Sequence, residues 1–306
     1  MMEEWVGGVK LNYEYYSGED LYSDGEIEEE LLEIVSQHGE ESFNEIIAER
    51  GSWPVLYHLS EIRSNIIEGL EITEEHRVLE IGAGCGAVTG KLAEKAKDVT
   101  CIELSKKRSL INANRNKKHD NIEILLGNFE DVKKDLEGGF DVITLIGVFE
   151  YAELYINEKD AYLEYLKMIK KLLKKNGRLI VAIENRIGLK YWAGCVEDHL
   201  NQYFIGLEGY PDVSGIKTFT KKEWEILLKE SGYESYTFYY PYPDYKFPLM
   251  IYSDEYLPKI GELVDNEKNL DRDRLCLFNE SRVFDTIIKN DLFPQFANSF
   301  LLVMQC

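Results

Sequence analysis

An apolar strand that runs without a break into three alternating glycines constrains this chain more than any other feature. The stretch is Val78-Leu79-Glu80-Ile81-Gly82-Ala83-Gly84-Cys85-Gly86, and a helical pattern follows it over residues 89–96. Glycine permits backbone angles and close approaches that a β-carbon forbids. At the carboxyl end of a central strand, such a loop lets a ligand lie against bare main chain. A tight strand-to-helix turn also uses glycines, so the neighbouring residues have to decide between the two readings. Glu103 closes the next apolar run, Val99-Thr100-Cys101-Ile102, 21 residues after Gly82. A carboxylate at that place can accept hydrogen bonds from both hydroxyls of a ribose. The spacing fits a dinucleotide site as well.

Around this loop, short β-branched or apolar runs alternate with longer amphipathic ones. The pattern predicts strands over residues 77–81, 99–103, 122–126, 140–146 and 178–184, and helices over 89–96, 106–117 and 161–175. Alternation of this kind implies a parallel sheet covered on both faces. A helix at 221–230, a strand at 233–240 and a closing strand at 296–304 complete the series. Residues 185–220 and 241–294 are insertions after the fifth and sixth strands, and a loop as long as the first inside a compact domain is usually functional or disordered. The first 70 residues read differently. A leading loop holds Tyr13, Tyr15, Tyr16 and Tyr22, and from Glu26 the pattern turns helical, with Ile27, Leu31, Ile34 and Val35 opposite Glu28, Glu29 and Glu33. A second helix near Pro54 carries the stripe Leu59, Ile62, Ile66 and Leu70. We read residues 1–70 as an acidic helical cap on a domain formed by 71–306.

Charge narrows the partners. The net charge is −21, and residues 1–50 alone contribute −13. Phosphate backbones and anionic lipid surfaces reward clustered Lys and Arg, so a nucleic acid is an unlikely partner. Five scattered cysteines without a CxxC pair argue against a disulfide framework and for a reducing, cytoplasmic setting. No apolar run approaches the roughly 18–20 residues that a membrane helix needs, and the start, Met-Met-Glu-Glu-Trp, lacks the basic and apolar regions of a secretory signal.

The segment Glu80 to Gly86, with Glu103 at the end of the second strand, resembles the first motifs of the class I S-adenosylmethionine-dependent methyltransferases. Two further stretches match in order: Gly127-Asn128-Phe129-Glu130 after the third strand, and residues 140–151 with Gly147 in the turn after the fourth. The family often carries Asp where Asn128 stands. The glycine pattern is GxGxG rather than the GxGxxG of dinucleotide sites, and the chain closes on a strand that follows a strand. The resemblance implies an α/β, doubly wound, mostly parallel seven-stranded Rossmann-like sheet and S-adenosylmethionine as cofactor. It implies cofactor contacts from Glu80, Gly82, Ala83, Gly84, Gly86, Glu103, Leu104, Asn128, Phe129 and Gly147, to which we add Tyr16 of the leading loop.

Methyl transfer to a hydroxyl needs a proton acceptor. His38, His58, His76 and His119 sit in helical or pre-strand contexts and read as structural. His199 lies in Glu197-Asp198-His199, inside the glycine-rich insertion, so we expect the catalytic groups to be His199, Asp198 and Glu197. Neighbouring residues rarely converge on one ion, so no metal centre is expected there. Glu184, Asn185 and Arg186 end the fifth strand, at the usual ligand edge, and Tyr242 and Tyr245 suit a sugar or an aromatic molecule; all five are expected to face substrate. The strings 184–194, 197–199 and 240–245 resemble an uncharacterised bacterial methyltransferase subgroup associated with surface-glycan contexts, which implies O-methylation of a small molecule or glycan. The alternatives are a ribosomal-RNA-type base methyltransferase, since residues 78–128 resemble the adenine dimethylases, and a non-catalytic cofactor-binding module.

Overall fold

The computed structural model describes residues 3–20, 25–156, 158–266 and 274–306. Tyr22 and part of the second insertion lie outside the described residues. The chain divides into two compact units, residues 1–145 with 171–178 and residues 146–170 with 179–306. The acidic helices and the glycine-loop strands share the first unit.

The first unit holds strands β1 (Glu3–Val6), β2 (Val9–Asn12), β3 (Arg77–Ile81), β4 (Asp98–Glu103), β5 (Ile122–Leu126) and β6 (Phe140–Ile146), in the order β1-β2-β5-β4-β3-β6. β3 runs parallel to both β4 and β6, and β4 parallel to β5. Val78, Leu79, Val142 and Ile143 are fully buried, as strands covered on both faces must be. Helices Thr89–Lys95 and Lys106–Arg115 make the two crossovers on one side of β3, while β6 lies on the other. The order reverses at β3, and the crevice outside the carboxyl end of such a strand is where open α/β sheets bind ligands.

The N-terminal segment departs from the expected helical cap. β1 and β2 form an antiparallel hairpin over Gly7 and Gly8, and β2 adds to β5 in parallel, Leu11 opposite Ile124. Val9 and Leu11 are fully buried, which gives these short strands their reason to join the sheet. The acidic helix is present as Ile27–Gln37, with Leu31, Ile34 and Val35 packed on Phe43, Val55, Leu59 and Ile111. Glu28, expected on its solvent face, is instead 0% exposed and meets Arg108 Nε at 2.8 Å.

In the second unit, β7 (Leu173–Glu184) contributes its residues from Leu179 onward, followed by β8 (Ser235–Tyr242), β9 (Met250–Ser253) and β10 (Ser299–Gln305), in the order β7-β10-β8-β9. β10 pairs antiparallel with β8, and β8 with β9. The closing strand thus lies between two strands that precede it, the reversed arrangement that the family resemblance implies. Phe238, Tyr240, Tyr252 and Phe300 are buried and meet Phe293 or one another edge to face. Ten strands stand among the described residues instead of the expected seven, the additions being β1, β2 and β9. Among these residues no helix is long and apolar enough to cross a membrane.

The Glu28–Arg108 pair ties the acidic helix to the crossover helix beside the glycine loop. Removing one partner of a buried ion pair typically costs about 3–5 kcal/mol. Glu28→Ala is expected to lower the unfolding free energy by about 3 kcal/mol in urea titrations; an unchanged midpoint would show that the pair contributes nothing.

Candidate functional site

β3 ends in a loop that the next strand holds open. The N–H groups of Gly82 and Ala83 both donate to the Ile102 carbonyl, at 2.9 and 3.3 Å. Gly84 N–H donates to Glu103 Oε2 at 2.8 Å, and Ser105 N–H to Glu103 Oε1 at 2.9 Å. Burial pushes the Glu103 carboxyl upward, and the Ser105 N–H, the Arg108 charge and the Gly84 N–H oppose it. Gly84 has φ +54°, and a β-carbon on it would meet no other atom within 4 Å. The loop therefore turns bare main chain toward free space next to an anchored carboxylate. Gly86 (φ +76°) is needed for closeness: a β-carbon there would lie 2.5 Å from Asn112 Oδ1 and 2.7 Å from Asn116 Nδ2. These residues fit a nucleoside whose sugar hydroxyls reach Glu103.

The other expected cofactor residues divide by position. Leu104 follows Glu103 and is half-buried. Asn128 caps the turn after β5, its Oδ1 accepting from Glu130 N–H at 3.1 Å, and Phe129 beside it is buried. Tyr16 stacks edge to face with Tyr13 and donates to Asp20, whose carboxylate in turn accepts from Lys106 N–H at 2.6 Å. Glu80 is buried. Its carboxylate accepts from Thr89 Oγ1 at 2.6 Å and contacts Cys101 Sγ, and burial pushes it up to about 7. It braces the strand from behind. Gly147 belongs to the second unit, where its N–H donates to the Ala182 carbonyl and Tyr245 Oη would lie 2.8 Å from a β-carbon on it.

The second unit brings a set of charged side chains into its interior. Glu150 and Glu184 are 1% and 0% exposed. His199 Nε2 lies 3.4 Å from Glu184 Oε2 and 3.8 Å from Glu150 Oε1, and its Nδ1 is 2.8 Å from Tyr151 Oη. Lys246 bridges Glu184 Oε1 and Asp198 Oδ1, at 2.5 Å each, and Lys190 bridges Asp198 at 2.9 Å and Asp244 at 3.7 Å. Burial raises the Glu150 carboxyl, and the His199 charge offsets only part of it. Burial acts upward on Glu184 too, but Lys246 outweighs it and leaves that carboxyl well below the usual range. For His199 burial acts downward, and Glu184 and then Glu150 overcome it, holding the imidazolium up to about 9.

The three adjacent residues expected to be catalytic diverge. Glu197 closes its own turn, accepting from His199 N–H, Leu200 N–H and the Tyr210 hydroxyl. Asp198 is occupied by the two lysines and the Tyr191 hydroxyl. His199 alone turns to Glu150 and Glu184. Arg186 forms an ion pair with Glu223 at 2.9 Å, and Asn185 donates to the carbonyls of Gln295 and Ala297, so both hold the frame. Tyr242 Oη accepts from Asp265 N–H. Sequence reasoning missed Glu150, Lys190 and Lys246 as members of this cluster. The one local signal was acid or base within apolar runs, as in Val148-Phe149-Glu150-Tyr151 and Tyr245-Lys246-Phe247.

Residues 79–179 match the family model described as a methyltransferase domain. The chain is 41% identical over 61 residues to the ribosomal RNA small subunit methyltransferase A of Leuconostoc mesenteroides, covering 20% of this chain and 21% of that protein. It covers 35% of the corresponding Borreliella burgdorferi protein, so it spans well under two thirds of these relatives. An uncharacterized methyltransferase of Bacillus licheniformis is 28% identical over 173 residues, covering 54% of this chain and 77% of that one. A SAM-dependent methyltransferase of Archaeoglobus fulgidus is similar in structure, with a TM-score of 0.49 and 12% identity over 82% of this chain and 96% of that one. The likeness to a methyltransferase domain thus rests on residues 79–179, which hold the glycine loop and Glu103.

Proposed function

We propose that the protein is an S-adenosylmethionine-dependent methyltransferase acting on a hydroxyl of a small molecule or glycan. The observation that carries the reading is the Glu103 carboxylate, fixed by the Gly84 N–H beside an open glycine face. The main chain of Gly82, Ala83, Gly84 and Gly86 would hold the cofactor, Glu103 its ribose, and Leu104, Asn128 and Phe129 its adenine, with Tyr16 as a further contact. Bound S-adenosylmethionine supplies an electrophilic methyl group, which an acceptor oxygen takes as the carbon–sulfur bond breaks. The acceptor hydroxyl must lose its proton. We assign that proton to the cluster of His199, Glu150 and Glu184 as a unit, because interacting groups titrate together. His199 holds its own proton up to about 9 and so does not fit a lone base at neutral pH. Asp198 and Glu197 act as positioning residues, and Tyr245 as an acceptor contact.

A net charge of −21 fits a small molecule or glycan better than RNA. The identity to ribosomal RNA methyltransferases favours a second reading, base methylation, but these matches run over 61 to 165 residues and cover 21% to 54% of those proteins. Five free cysteines suit a reducing, cytoplasmic setting.

Calorimetry tests the cofactor half. Folded protein is expected to bind S-adenosylhomocysteine, and Gly84→Asp, which puts a side chain and a negative charge on the open face, is expected to weaken binding at least about 100-fold while circular dichroism shows the variant folded. Absence of binding by the folded wild type, or equal binding by the variant, would reject the reading.

The pH dependence of stability tests the cluster. A His raised from 6.5 to about 9 on folding stabilises fully below pH 6.5, and that contribution is lost as pH rises through 9. In metal-free buffer, Tm is expected to decline across this window, and His199→Gln to show a flatter profile. Parallel profiles for the two proteins would mean that His199 is not held protonated.

A further inference from the structure

Glu150 is a buried carboxylate with no donor. Among the described residues neither of its oxygens has a hydrogen-bond partner, and Glu184 Oε2 and His199 Nε2 have only their mutual ion pair at 3.4 Å and the weaker approach of Glu150. Burying an ionised carboxylate without compensation is costly, and such groups are normally paired or coordinate a metal. All three sets of atoms turn toward one point in the second unit. We propose that Glu150, Glu184 and His199 bind one divalent first-row transition-metal ion.

Geometry supports the assignment. One ligand atom from each residue lies within 4.8 Å of the other two. At metal–ligand bonds of about 2.1 Å, tetrahedral ligands stand about 3.4 Å apart. The His199 to Glu184 separation is 3.4 Å and the His199 to Glu150 separation 3.8 Å, so little movement closes the set. The surroundings orient the ligands as outer groups do in metal sites. Tyr151 Oη at 2.8 Å from Nδ1 takes the other ring nitrogen of His199, leaving Nε2 to face the carboxylates. Lys246 occupies Glu184 Oε1 and leaves Oε2 for the ion.

Charge points the same way. Glu184, Asp198 and Asp244 contact two ammonium groups, Lys190 and Lys246, and Glu150 adds a fourth carboxylate beside them. With a neutral imidazole the cluster carries excess negative charge, which a dication reduces. One imidazole and two carboxylates, with no thiolate, suit manganese, iron, cobalt or zinc better than magnesium or calcium. Neither the position of these ligands nor their convergence was legible from Glu197-Asp198-His199, whose side chains separate. The ion's role deepens the acceptor reading above: it would lower the pKa of a hydroxyl bound to it. Ion binding itself does not depend on that reading.

The test uses the full chain stripped with EDTA, dialysed and kept free of S-adenosylmethionine, so that its result is separate from cofactor binding. Manganese is titrated with electron paramagnetic resonance detection, and zinc by calorimetry. One ion per chain is expected, with Glu150→Gln and His199→Gln each weakening binding at least about 10-fold while circular dichroism shows the fold intact. If the wild type binds neither metal in a single class, or if both variants bind as tightly as wild type, the cluster is a proton-bridged ion network and the proposal fails.

Discussion

The contact between the Gly84 N–H and the Glu103 carboxylate organises the first unit. It ties the loop after β3 to the end of β4 at 2.8 Å, so that two adjacent parallel strands present one rigid edge. The rest of the loop follows from it. Gly82 and Ala83 remain on the Ile102 carbonyl, which continues the strand register past its last residue. Gly86 lets the chain pass close to Asn112 and Asn116 on the crossover helix. A carboxylate that already accepts one main-chain hydrogen bond at each oxygen is preset in orientation, and preorganisation of this kind lowers what binding must otherwise supply. Glu80, the penultimate residue of β3, braces the same region from the interior through Thr89 and Cys101.

The second unit uses charge differently. Its interior holds carboxylates and ammonium groups that would be expensive to bury singly. They are organised in alternation, with Lys246 between Glu184 and Asp198 and Lys190 between Asp198 and Asp244. Glu150 makes no ion pair with either lysine and lies beside His199 and Glu184. A fold does not gain stability from such an acid, and retained local misfits of this kind are where chemistry is usually found.

The parallel strands were legible because their apolar runs are β-branched and bounded by turn residues, and because each is followed by a helical period. β1 and β2 were missed although Gly7-Gly8 is a hairpin signal, since four residues on either side are too few to show a period. Glu28 was placed on a solvent face by helical spacing. Its burial depends on Arg108, 80 residues away, which no local pattern reports. The glycine loop and Glu103 were readable because both ends of the interaction lie at the ends of adjacent strands. The buried cluster was not, because Glu150, Lys190, His199 and Lys246 come from four separated segments, and Lys246 reaches Glu184 across 62 residues. His199 itself was singled out, but its neighbours in sequence are not its partners in space.

The most direct measurement of the central claim is a crystal structure of the protein soaked with S-adenosylhomocysteine. The account predicts the ribose hydroxyls within about 3 Å of the Glu103 oxygens, with Gly84 N–H still donating to that carboxylate. A ligand bound elsewhere, or a Glu103 side chain released from Gly84 and turned away from the sugar, would contradict it.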